Sequence, residues 1–81
     1  MQYIIDIKQY IYYIISMNKV KVARLLLDLK QDDLAQKVGV TRQTIGLIEA
    51  GSYNPSLNLC IKICKVLGKT LDEIFWENEN E

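Results

Sequence analysis

QDDLAQKVGVTRQTIGLIEAG, residues 31–51, is the stretch on which the fold turns. Leu34, Ala35 and Val38 fall on one side of a 3.6-residue period, which predicts a helix over Gln31–Val38 with those three facing inward. Gly39 follows directly, and glycine alone takes the left-handed conformation of a helix C-cap without steric cost. Val40 turns inward. Thr41 can then cap the next helix through its hydroxyl, and that helix is expected over residues 42–50, with Ile45 and Ile48 on its inner side. Gly51 closes it. Two short helices joined this tightly need a small residue where they cross, a flexible one in the turn, and apolar residues locking the angle. Ala35 is the small residue, Gly39 the turn, and Leu34, Val38, Val40, Ile45 and Ile48 the locks. Seven positions agreeing within twenty residues define a helix-turn-helix.

Outward from this unit the helical pattern continues. Upstream, Val22, Leu25, Leu26 and Leu29 recur at steps of three and four, predicting a first helix that ends near Leu29 with this stripe inward. Downstream, Ser52-Tyr53-Asn54-Pro55 reads as a loop, because proline forbids helix in the residue before it. Ser56 caps a fourth helix carrying Leu59, Cys60, Ile63, Cys64 and Leu67, which Gly68 ends. Thr70 and Glu73 stand in a capping-box arrangement that opens a short fifth helix through Phe75. Five helices with short joints predict an all-α domain, and 81 residues allow one core and no second domain.

The ends of the chain differ from this body. Residues 1–16 form an apolar extension in which six isoleucines and four tyrosines fall within the fourteen positions 3–16. Apolar residues at 5, 7, 11, 13 and 15 favour a strand, whereas Ile4, Ile7, Ile11 and Ile14 would also line one side of a helix. The extension is too short, and too interrupted by Asp6, Lys8 and Gln9, to span a bilayer, and it lacks the basic start and cleavage site of a secretory signal. Left in water it would invite aggregation, so it is expected to lie against the body or a partner chain. The domain proper spans residues 17–76, and residues 77–81 form an acidic tail.

A formal net charge of zero conceals a segregation. Residues 17–71 hold nine Lys or Arg against four acids, while five of the ten acids lie in the last ten positions. A basic body can face phosphate while an acidic tail keeps the chain dispersed. There is no histidine, and the two cysteines, Cys60 and Cys64, stand one helical turn apart. This excludes histidine-based acid–base catalysis and Ser-His or Cys-His nucleophiles, leaves no metal site or cofactor motif, and indicates a reducing compartment without a disulfide framework. An enzyme is not expected. Cys60 and Cys64 read as small core residues, with redox sensing as the alternative. Lys62, Lys65 and Lys69 read as a solvated face that could also lie near DNA.

Residues 31–51, together with YNPSLNLCIKICKVLG at 53–68, resemble the Xre/Cro-like, lambda-repressor-like helix-turn-helix family over residues 19–76. The resemblance implies a five-helix DNA-binding domain and a transcriptional regulator, acting as a repressor through a cytoplasmic homodimer on an inverted-repeat operator. The chain also resembles the family's short stand-alone members, in which residues before the first helix and after the fifth pair as two strands. Here those would be residues 19–22 and 75–78. Carried over by position, Arg42, Gln43, Gly46 and Leu47 would face base edges. Gln pairs with adenine, Arg with guanine or phosphate, and Leu can meet only a thymine methyl. Gln31 at a helix N-terminus, Thr41, Thr44, Ser52, Tyr53 and Asn54 would contact the DNA backbone. Arg24 and Glu49 would form a structural ion pair. Ile74, Phe75 and Trp76 would form the dimer seam. Lys30 stands where a Ser or Thr cap is usual, which weakens the start of the second helix by about 1 kcal/mol. Gly46 costs about 1 kcal/mol against alanine and offers no side chain to a base. The alternative reading, from the apolar extension, is a protein-interaction module or antitoxin-like accessory subunit that grips a partner through residues 1–16.

Overall fold

The computed structural model describes residues 18–76. The extension at 1–16, with the strand or helix expected for it, and the tail at 77–81 lie outside the described residues. Five helices follow one another: α1 (Lys19–Leu26), α2 (Gln31–Val38), α3 (Arg42–Glu49), α4 (Leu57–Leu67) and α5 (Leu71–Phe75). α2 packs on α3 and α4, α1 bridges α3 and α5, and α5 closes against α4. The core lies where these meet, around fully buried Val20, Leu34, Ile45 and Ile63.

The ends of the helices follow from local chemistry. Thr41 Oγ1 accepts from Thr44 N, Ser56 Oγ from Leu59 N, and Thr70 and Glu73 satisfy each other's backbone donors. Lys30 supplies no side-chain cap to α2, yet Asp33 reaches back to accept from the Lys30 N–H at 2.9 Å, so half of a capping box is in place. α3 ends one residue earlier than expected, at Glu49, with Ala50 as its cap. Gly39 adopts φ +80°, and Gly39 N and Val40 N both donate to Ala35 O, which folds the chain sharply between α2 and α3. A Cβ at Gly39 would meet nothing within 4 Å. Gly39→Ala is therefore expected to destabilise by about 1–2 kcal/mol through backbone strain alone. Gly39→Asn should cost less, and urea unfolding of the two variants checks this order.

The first helix departs from expectation in three ways. Its buried side is Val20, Ala23 and Arg24, not Val22, Leu25 and Leu26, while Leu29 lies past the helix and packs partly buried against the core. Leu25 and Leu26 are 48% and 76% exposed. Two polar anchors set this rotation. The Asn18 amide donates to Ile48 O at the end of α3, and Arg24 must turn inward to reach Glu49. The helix also stops at Leu26, because Leu27 N and Asp28 N tighten onto carbonyls three residues back and Asp28 takes φ +58°. Finally, residues 19–22 are not a strand. Asn18 Oδ1 accepts from Val20 N and Lys21 N, which commits the segment to the first turn of α1. Phe75 ends α5, Trp76 follows in extended backbone, and positions 77 and 78 lie outside the described residues.

Candidate nucleic-acid interface

At about 100° per residue, α3 divides into sides with different tasks. Ile45 and Ile48 face the core and are 0% and 3% exposed. Arg42, Gln43, Gly46 and Leu47 share the opposite side, where Arg42, Gln43 and Leu47 are exposed and Gly46 is half-buried. Thr41 and Thr44 join their hydroxyls at 3.0 Å along one flank. Beyond the C-terminus of α3, Gly51 N and Ser52 N donate back to Ile48 O and Leu47 O, so the exposed loop residues Ser52, Tyr53 and Asn54 leave α3 in a defined direction.

The other flank of α3 is wired into the domain. Arg24 Nε donates to Glu49 Oε2 at 2.7 Å, and its second terminal nitrogen donates to Glu49 Oε1 at 3.1 Å. The pair is buried, with side chains 7% and 4% exposed. Arg24 also donates to Leu29 O at 2.7 Å, so one guanidinium ties α1, the α1–α2 turn and α3 together. Its charge is matched by a bidentate partner and each of its three nitrogens donates a hydrogen bond, the condition under which a buried ion pair is tolerable. Among the described residues no buried side-chain nitrogen or oxygen lacks a hydrogen-bond partner.

Gln31 extends this network to the exposed side. Its Nε2 donates to Glu49 Oε1 at 3.1 Å, and its Oε1 accepts from Arg42 at 3.1 Å. Arg42 is thus braced through Gln31 onto the Glu49–Arg24 pair, with the outer part of its guanidinium free. One Nε2 hydrogen of Gln31 also remains available. Sequence reasoning placed all four residues but missed that they form one chain of hydrogen bonds. It missed Asn18 as well, although an asparagine directly before a helix is a recognisable cap signal. A Cβ at Gly46 would meet only Gln31 Nε2, at 3.8 Å, so the protein's own packing leaves room for a side chain there.

Other candidates resolve differently. Cys60 and Cys64 are free and buried, and burial pushes both thiols up from their ordinary range, Cys64 further through nearby Cys60 and Glu73. Thiols so placed are poor nucleophiles. The backbone N–H of Thr70 holds the Glu73 carboxyl below the usual range, with help from the Thr70 hydroxyl and Lys69. Ile74 is 7% exposed and packs into the chain's own core, Phe75 is half-buried, and Trp76 is 69% exposed. Among the described residues no group of three His, Cys, Asp or Glu side chains could hold a metal ion, and no helix is long and apolar enough to cross a membrane.

A helix held from behind and braced on one flank, with polar side chains outward, is the defining geometry of a helix-turn-helix protein. Comparison with known proteins agrees. The helix-turn-helix family model matches residues 20–74. An uncharacterised HTH-type transcriptional regulator of Methanocaldococcus jannaschii is 50% identical over 64 residues, covering 79% of this chain and 97% of that protein. The HTH-type transcriptional regulator YgzD of Bacillus subtilis is 48% identical, covering 78% and 97%, and one from Archaeoglobus fulgidus is 41% identical, covering 79% and 90%. The chain belongs to the Xre/Cro-like, lambda-repressor-like helix-turn-helix family.

Proposed function

We propose that this chain regulates transcription by sequence-specific binding to double-stranded DNA, as a repressor acting through a cytoplasmic homodimer on an inverted-repeat operator. The observation that carries this is the outward side of α3, where Arg42 and Gln43 stand exposed while Ile45, Ile48 and the Glu49 network hold the helix in place. A major groove admits one helix, and Arg and Gln present the bidentate donors and acceptors that distinguish guanine and adenine. Gly46, which the fold does not require, lets the α3 backbone approach the bases, and Leu47 meets a thymine methyl. Gln31, with its spare amide hydrogen, Thr41, Thr44, Ser52, Tyr53 and Asn54 contact phosphates and set the register.

One such helix covers too few base pairs to be selective. Two copies related by a twofold axis would place their α3 helices about 34 Å apart on one face of the duplex. Phe75 and Trp76 are offered to the second chain at the end of α5, while Ile74 supports them from within the core. The relatives' description as HTH-type transcriptional regulators supports the same role.

Gln43→Ala is expected to weaken binding to the selected site by about 1–3 kcal/mol and relax preference at one base pair, whereas Ser52→Ala should weaken specific and random duplexes alike. Selection of bound duplexes from a random pool, followed by salt titrations of both variants, tests this. Equal loss on specific and random DNA for both variants would remove the assignment of roles.

A further inference from the structure

α1 is apolar on two opposite sides. Val20, Ala23 and Arg24 point into the domain, and at about 100° per residue Val22, Leu25 and Leu26 lie diametrically across the helix, flanked by Lys19 and Lys21. Leu25, Leu26 and Leu27 are 48%, 76% and 50% exposed. Past the end of the helix, a separate open cleft of about 440 Å³ is lined by Leu27, Leu29, Lys37 and Val66. Isolated exposed leucines are ordinary, but Leu25 and Leu26 beside half-buried Val22 form one apolar face that is costly to leave in water. DNA does not account for it, because the residues assigned to DNA lie at the start of α2, on α3 with its cap, and in the loop after it.

We infer that this face of α1 is the docking surface for the chain's own residues 1–17. Twelve of those seventeen residues are apolar, among them six isoleucines and four tyrosines. They join the described structure at Asn18, the residue that caps α1. α1 is about 12 Å long, and seventeen residues can reach several times that distance. Tethering raises the segment's effective concentration to the millimolar range, so a small patch suffices to hold it. A second copy of the chain lacks that advantage. The three leucines present at most a few hundred Å², short of the roughly 800 Å² that each partner contributes to a stable interface.

The test uses the full chain with a photoreactive benzophenone amino acid in place of Leu26. Heavy-isotope and ordinary protein are mixed in equal amounts, irradiated, digested and analysed by mass spectrometry. Cross-links from position 26 to residues 1–17 with both peptides bearing the same label are expected. Links to residues 1–17 of another chain, links to α1 of another chain, or no link to residues 1–17 would each overturn the inference. In parallel, Leu26→Lys in the full chain should speed amide exchange of residues 1–17 by on the order of tenfold or more, since the leucine's burial is lost. Residues 31–67 should stay protected, because Leu26 lies outside the core. Unchanged exchange in residues 1–17 with the core intact would count against the docking surface.

Discussion

Arg24→Met should lower the stability of the folded chain by about 3–5 kcal/mol, read from urea or thermal unfolding at neutral pH. The side chain at 24 is buried and serves three acceptors, two oxygens of Glu49 and the carbonyl of Leu29. Its removal leaves Glu49, 4% exposed, with the neutral Gln31 amide as its remaining side-chain partner. The methylenes of Met refill most of the volume, so the loss reports a stranded charge and not a cavity. A domain of about sixty residues is held by roughly 3–9 kcal/mol, which puts the variant at the edge of unfolding. Pairing the substitution with Glu49→Leu should recover a large part of the loss, because replacing a whole buried ion pair by apolar groups is often neutral or better. A double variant as unstable as Arg24→Met alone would show that α1 is held by something other than this pair.

Leu34→Ala is expected to cost about 2–5 kcal/mol, measured the same way. Leu34 is fully buried on α2, the helix that packs against both α3 and α4. No neighbouring side chain can relax into the vacated space without withdrawing from α3 or α4, so the upper half of that range applies. The consequence reaches the interface, since α2 is the bed on which α3 rests. DNA affinity should fall with the folded fraction and recover when measured at a temperature where the variant is folded. A variant that is fully folded yet unable to bind would mean that Leu34 sets the angle of α3 and not merely its stability.

Much of this molecule could be read without coordinates. The spacing of Leu34, Val38, Ile45 and Ile48, the Gly39 turn and the caps at Thr41, Ser56 and Thr70 all appear in the structure as the sequence suggests. Arg24 and Glu49 meet as the family resemblance implies. The first helix is where reading by pattern failed. Its residues carry two apolar stripes, and the steps of three and four picked out Val22, Leu25 and Leu26 where the structure buries Val20 and Ala23. The strands implied for residues 19–22 failed for a different reason, since the Asn18 cap and the α1 turn it opens outweigh a likeness to other chains.

The sequence alone determined where α2, α4 and α5 begin and end and where the chain turns at Gly39, because those features rest on hydrogen bonds and backbone angles within four residues of chain. Only the tertiary structure decided which side of α1 is buried and which partners Gln31 takes. Both depend on groups brought from distant parts of the chain: Ile48 O for Asn18, Glu49 for Arg24, Arg42 for Gln31. A long-range polar contact of this kind can turn a helix about its axis against the pull of its most apolar stripe, and no local pattern records it.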